Sequence, residues 1–124
     1  MSRRILIRTS STEIEAELID CATSDAIWKA LPLESMVNTW GEEIYFSIPV
    51  SIGLENGQEV VNAGDIAYWP PGKAFCIFFG PTPDSRGNEI RAASKVSVFG
   101  KVTSDFNIPG RVLDGEKVLI ERVE

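Results

Sequence analysis

The segment from Gly64 to Gly80, GDIAYWPPGKAFCIFFG, most constrains how this chain can fold. Its two apolar halves flank Pro70-Pro71-Gly72, which favours a tight turn because each proline fixes φ and glycine permits positive φ. The segment therefore predicts two strands joined by a prolyl turn. Its second half is continuously apolar, which predicts a strand buried on both faces. We call this segment the aromatic hairpin, after the side chains of Tyr68, Trp69, Phe75, Phe78 and Phe79.

Short extended segments recur along the rest of the chain. From Glu13 to Ile19, apolar and acidic residues alternate, as expected of an antiparallel strand with one solvated face. Thr23-Ser24-Asp25 predicts the start of a short helix that ends at Pro32. The pattern gives about eight strands and one short helix, which indicates a sandwich or a closed barrel, and we favour the barrel.

Length and charge limit the function classes. With 124 residues, the chain is expected to be a single domain over residues 1–124. Its net charge of −6 argues against nucleic-acid binding, which requires a cationic surface. We find no apolar stretch that resembles a signal peptide or a membrane span, so the sequence predicts a cytoplasmic protein without a membrane partner.

The common catalytic arrangements are absent from the sequence. The chain contains no histidine, so no serine or cysteine has the usual base to activate it. Cys21 and Cys76 are the only cysteines, too few for a disulfide framework or a zinc site. We therefore predict no metal and no cofactor.

Aromatic residues and one carboxylate are the best candidates for a ligand site. Tyrosine and tryptophan combine apolar area with a hydrogen-bonding group, which suits small-molecule pockets. Glu42 and Glu43 are adjacent, so in a strand their side chains point to opposite faces. One of them must then face inward or lie at a bend beside Gly41, and we choose Glu42 as the pocket carboxylate. The predicted ligand-binding residues are Trp40, Glu42, Tyr45, Tyr68 and Trp69. The alternative is that these aromatic residues only pack the core and rim of the barrel.

Two motifs carry a resemblance to a known family. They are NTWGEEIYF at residues 38–46 and the aromatic hairpin, and the match continues through FFGPTP at residues 78–83 and DGEKV at residues 114–118. On these motifs the chain resembles the small, uncharacterised, cyclophilin-like proteins of prokaryotes. The resemblance implies a closed eight-stranded barrel of the cyclophilin type and implies no established activity.

The sequence also departs from the catalytic pattern of true cyclophilins. Those enzymes are prolyl isomerases that use an arginine beside a phenylalanine-lined pocket and a histidine. Here the phenylalanine-histidine-arginine run is missing, and the nearest arginines are Arg86 and Arg91. The leading hypothesis is therefore a binding module, with little or no catalysis, for a small molecule or a short peptide. The alternatives are an atypical prolyl isomerase that uses Arg86 or Arg91, and an interaction subunit that forms a homo-oligomer through the aromatic hairpin.

Overall fold

The computed structural model of the chain describes residues 3–10, 12–104, 112 and 114–123. Ten strands and one α-helix follow one another in the order β1 Arg3–Thr9, β2 Glu13–Leu18, α1 Ala22–Ala30, β3 Leu33–Met36, β4 Asn38–Trp40, β5 Glu43–Ser47, β6 Gln58–Val61, β7 Asp65–Trp69, β8 Ala74–Phe78, β9 Ile90–Val102 and β10 Lys117–Val123. A single 3₁₀ turn, Pro70–Gly72, joins β7 to β8. The fold is therefore mainly β with one short helix, as predicted. The turns predicted between Asp105 and Gly115 fall largely outside the described residues.

The strands pair in the order β3-β10-β1-β2-β9-β7-β8-β5-β4, and β6 pairs with β9 beside this path. The prediction of a closed eight-stranded barrel was wrong on both counts for the described residues. The strand β3 ends just before Val37, and β4 begins just after it. Strand β3 pairs with β10 whereas β4 pairs with β5, so the two ends of the path are consecutive in the chain but do not pair with each other.

The aromatic hairpin is a pair of antiparallel strands, as predicted. Trp69 lies opposite Ala74 at the end next to the 3₁₀ turn. Lys73 follows the turn with a φ of 47°, in the left-handed region, and its side chain is exposed. Every residue of β8 is buried, which confirms the prediction from its continuous apolar run.

Within the described part of the chain, the buried apolar side chains form two separate clusters. The larger one, which we call the inner core, contains the ring pair Phe46–Phe75, stacked with centroids 5.0 Å apart, and the edge-on pair Phe75–Phe99 at 5.3 Å. The smaller one, which we call the outer cluster, lies on the opposite face of β7 and β8 and comprises Val61, Ala67, Ala74, Cys76, Phe78, Ile90, Ala92 and Val96. Since successive residues of a strand point to opposite faces, β7 and β8 contribute to both clusters.

The helix α1 closes the inner core. Ile27 is completely buried there, and Leu31 follows at the helix end. The helix begins at Ala22, just before the predicted Thr23-Ser24-Asp25 start, because Glu55 accepts hydrogen bonds from the backbone N–H groups of Ala22 and Thr23 at 3.2 and 2.9 Å. No helix among the described residues is long and apolar enough to cross a membrane.

Strand β9 connects the two clusters. Its first residues pair with β6, and its later residues pair with β7 and β2. A register shift between Ile66 and Ala67 marks a bulge in this pairing. As a result, the first half of β9 lies over the outer face of β7 and β8 and covers the outer cluster only in part.

Candidate functional site

A cavity of about 260 Å³ opens on the outer face of the β4-β5-β8-β7 layer. Strands β4, β5, β7 and β8 form its floor, and the first half of β9 forms one wall. The residues that line it are mainly apolar or aromatic, with a single carboxylate among them: Trp40, Glu43, Tyr45, Trp69, Cys76, Ala92, Ala93 and Val96. The cavity therefore borders the outer cluster and lies outside the inner core.

Glu43 is the buried carboxylate of this cavity. It is the first residue of β5 and only 6 % exposed. Burial raises the pKa of Glu43 to about 7, because desolvation disfavours the charged carboxylate, and the hydrogen bond from the Cys76 thiol opposes this rise. Glu43 is therefore divided between its neutral and ionised forms near neutral pH.

Trp40 and Tyr45 stand beside this carboxylate. Trp40 lies directly opposite Glu43 in the β4–β5 pairing, and Tyr45 lies two residues further along β5 on the same face. Strand β4 is held in place by Asp114, whose carboxylate accepts hydrogen bonds from the backbone N–H and the hydroxyl of Thr39 at 2.6 and 2.8 Å. The cavity thus has two half-buried aromatic rings next to its charged group.

Trp69 occupies the far end of the cavity. Its indole N–H donates to the Ser94 hydroxyl at 2.6 Å, which fixes the ring against β9. The ring also packs over Gly72, where an added Cβ would lie 2.9 Å from the ring carbons Cε3 and Cζ3. Two independent contacts therefore determine the orientation of Trp69.

Cys76, on β8, contributes a thiol to the floor of the cavity. Burial raises the pKa of Cys76 well above its usual range, and the neighbouring Glu43 carboxylate raises it further. The thiol therefore stays protonated and is a poor nucleophile. Among the described residues, no group of three or more histidine, cysteine, aspartate or glutamate side chains is arranged to hold a metal ion.

The β9 wall is anchored by a short loop. The Thr82 hydroxyl donates to the carbonyl oxygen of Arg91, and the backbone N–H of Arg91 donates to the Ser85 hydroxyl at 3.0 Å. The Thr82 N–H also donates to the Ser85 hydroxyl, at 2.9 Å. These bonds hold the strand immediately before Ala92 and Ala93, so the position of the wall is set by the loop.

Three of the five predicted site residues line the cavity, and two lie elsewhere. Trp40, Tyr45 and Trp69 lie on it. Tyr68 is completely buried in the inner core, where its hydroxyl donates to the carbonyl oxygen of Val50 at 2.5 Å. Its strand neighbour Trp69 lies on the cavity because consecutive residues of a strand point to opposite faces.

Glu42 is the second exception. It belongs to the two-residue turn Gly41-Glu42 between β4 and β5, so its side chain is exposed and lies over Gly80. Gly41 adopts a φ of 62°, and an added Cβ there would meet the backbone of Pro81 and Thr82 at 2.9 Å. This tight turn makes Glu43, rather than Glu42, the first strand residue that faces the cavity.

The sequence reasoning missed Glu43, Cys76 and the three β9 residues. The sequence already predicts a two-residue turn at Gly41-Glu42, and this turn should have indicated Glu43, since it places that residue opposite Trp40. Strand alternation would have placed Cys76 on the same face as Trp69. The contribution of Ala92, Ala93 and Val96 depends on long-range pairing of β9, for which the local sequence carries no signal.

The cationic residues considered from the sequence do not line the cavity. Arg91 bonds Glu89 through its Nε at 2.6 Å and Glu59 through its Nη1 at 3.3 Å. Arg86 is exposed. No structural observation therefore favours either of them as a group that acts in this cavity.

Comparisons with known proteins place the chain in a family. The cyclophilin-like family matches residues 3–121. A solution structure of a hypothetical protein from Archaeoglobus fulgidus is similar to this chain, with 43 % sequence identity and a TM-score of 0.82 over 98 % of this chain and 95 % of that one. No curated protein matches the chain. Because the match spans nearly all of both chains, this protein belongs to the cyclophilin-like family of small uncharacterised proteins.

Proposed function

We propose that the protein is a binding module that holds a small organic molecule, or one side chain of a short peptide, in the outer-face cavity. The observation that carries this proposal is a buried carboxyl group, Glu43, in the floor of an open, aromatic-lined cavity. A concave, mainly apolar surface with one polar group inside it is the usual composition of a small-molecule site. The cavity of about 260 Å³ lies just below the range of ~300–1,000 Å³ that is typical of ligand pockets, so it suits a small ligand.

The chemistry of the lining supports binding rather than covalent catalysis. The Cys76 thiol stays protonated because burial raises its pKa, and its neighbour Glu43 adds to that effect. Apolar side chains form most of the remaining surface, as in sites that bind through shape and a few polar contacts. We therefore assign the cavity to binding and assign no reaction to it.

A fragment screen with matched variants tests this function. We would titrate the wild-type protein with a set of neutral, cationic and anionic aromatic fragments and follow the backbone amide signals by NMR. Ala93→Phe places a ring in the cavity from an exposed position, so it blocks the site with little effect on the fold. Trp69→Ala removes the ring at the far end.

Trp28→Ala is the control, because it removes the same side chain from helix α1, where Arg3 and Arg122 cover the ring at 5.7 and 4.9 Å. The expected result is that fragments bind the wild type and Trp28→Ala with equal affinity. Ala93→Phe and Trp69→Ala should bind them at least roughly tenfold more weakly, since each loses aromatic and shape contacts. Fragments that perturb no cavity residue, or bind all four proteins equally, would refute the function.

A further inference from the structure

We propose that the ligand of this cavity is an organic cation with an apolar body, whose ammonium group lies beside Glu43. The apolar body extends away from that group, along the floor of the cavity, toward Trp69. This inference rests on the proposed binding function and adds the chemical class of the ligand.

The charge of the cavity is the first argument. Among the described residues that line it, Glu43 is the only acidic one, and none carries a positive charge. A carboxylate that is 6 % exposed is costly to ionise without a partner of opposite charge. A bound ammonium group supplies that partner and forms a charge-assisted hydrogen bond, which is stronger than a neutral one. The net charge of −6 also attracts cations to the protein as a whole.

The position of two aromatic rings is the second argument. Trp40 is opposite Glu43 across the β4–β5 pairing, so their Cβ atoms are about 5 Å apart. Tyr45 is two residues along the same strand, about 7 Å away on the same face. A cation within about 6 Å of an aromatic ring centroid is attracted by the negative face of the ring. The carboxylate and the two rings therefore favour a cation at the same place.

The lining at the far end of the cavity is the reason for expecting an apolar body in the ligand. Trp69 lies on β7, three strands from Trp40, which corresponds to about 14 Å across the sheet. Its partner Ala74 is four residues along β8 from Phe78, the partner of Glu43, which adds about 13 Å along the strands. The surface between the two tryptophans is contributed by the Cys76 side chain and by Ala92 and Val96 of β9. Only the ammonium group is near Glu43, and the rest of the ligand contacts apolar or aromatic surface.

Three shape-matched probes test this inference: 3-phenylpropylamine, 3-phenylpropan-1-ol and 3-phenylpropanoate. They share one apolar body and carry charges of +1, 0 and −1 at about pH 8, where the amine is protonated and Glu43 is mostly ionised. We would measure the affinity of each by isothermal titration calorimetry. The wild type should bind the amine roughly tenfold or more tightly than the alcohol, with the propanoate weakest.

Two glutamate variants separate charge from shape. Glu43→Gln removes the negative charge and keeps the side-chain volume, so it should reduce the amine affinity to that of the alcohol and leave the alcohol unchanged. Glu42→Gln makes the same chemical change at the exposed neighbouring residue and should alter none of the three affinities.

The outcomes distinguish this inference from the binding function itself. Equal affinities for the three probes in the wild type, all reduced by Trp69→Ala, would overturn the cationic ligand and leave the binding function intact. An amine preference that persists in Glu43→Gln would also overturn the inference, since the charge would then act elsewhere. If the wild type binds none of the three probes, the cationic ligand is likewise overturned, and the fragment screen decides the binding function independently.

Discussion

The inner and outer faces of the β5-β8-β7 layer are built from the same strands, yet they differ in how completely they are covered. On the inner face, Phe46 and Phe75 are completely buried and stack on each other. On the outer face, Tyr45 and Trp69 are half-buried, and about 260 Å³ between them remains open. The inner face is therefore optimised for packing, whereas the outer face keeps a concave surface that a ligand can fill.

The buried polar groups of the two faces differ in how well the protein itself hydrogen-bonds them. The Tyr68 hydroxyl of the inner face is satisfied within the protein by the carbonyl oxygen of Val50. The Glu43 carboxyl of the outer face contacts the Cys76 thiol, a weak donor, and its pKa is raised to about 7 by burial. A buried polar group that the protein stabilises only weakly points to the face on which an external partner binds.

The largest expected effect concerns the inner face. Phe75→Ala should lower the free energy of unfolding by about 3–5 kcal/mol, because it removes a buried ring and leaves a cavity between Phe46 and Phe99. Trp69→Ala on the outer face should cost less, since Trp69 is half-buried. Urea denaturation of both variants measures the difference, and equal losses would contradict the distinction between the two faces.

The next effect is the pH dependence of stability caused by Glu43. The pKa of Glu43 is about 7 in the folded state and 4.5 without the protein environment, so the folded state holds this proton more tightly than the unfolded state. Ionisation therefore opposes folding. The cost is absent below about pH 4.5, grows as the pH rises through 7, and reaches about 3 kcal/mol above that.

Glu43→Gln cannot ionise, so the variant should gain stability relative to the wild type as the pH is raised from about 4.5 to about 7, and the difference should stay constant at higher pH. Tyr45 and Cys76, which also line the cavity, are present in both proteins, and burial keeps the Cys76 thiol protonated in both, so the difference between the two stability curves reports on Glu43. Glu42→Gln provides the matched control and should show no such difference. Parallel curves for Glu43→Gln and the wild type would show that Glu43 is not desolvated.

A smaller effect is expected from the two tyrosine hydroxyls. Tyr68→Phe should lower the free energy of unfolding by about 1–3 kcal/mol, because it leaves the buried carbonyl oxygen of Val50 without this donor. Tyr45→Phe should change stability by less than about 0.5 kcal/mol, as is usual for partly exposed positions. Thermal unfolding of the two variants compares them directly, and a larger loss in Tyr45→Phe would reverse the assignment of the faces.

Local patterns predicted the strands well and predicted the site in part. The alternation in β2 and the continuous apolar run in β8 gave the correct elements and burial, since both patterns depend on nearby residues only. The strand β3 was not predicted, because it forms by pairing with the distant strand β10. Sheet closure and strand number depend on the same long-range pairing.

The candidate site shows the same limit. Tyr68 and Trp69 are adjacent, so strand alternation requires their side chains to point to opposite faces. The sequence alone could therefore have shown that only one of the two lies on the cavity. The choice between Glu42 and Glu43 depends on the register of the turn at Gly41, where a φ of 62° and close contacts with the loop after β8 decide which residue begins the strand. The β9 wall could not have been predicted, because it is brought over the outer face by pairing with β6 and β7.

Mapping the bound position of 3-phenylpropylamine and 3-phenylpropan-1-ol by NMR tests the division between the two faces most directly. Saturation with either probe should shift the amide signals of outer-face residues such as Tyr45, Trp69 and Ala92, and leave those of the inner-core residues Phe46 and Phe99 close to their free positions. One probe is cationic and the other is neutral, so the assignment of the binding face does not depend on the charge of the ligand. Shifts centred on the inner core, or on a surface away from the β4-β5-β8-β7 layer, would contradict the assignment of binding to the outer face.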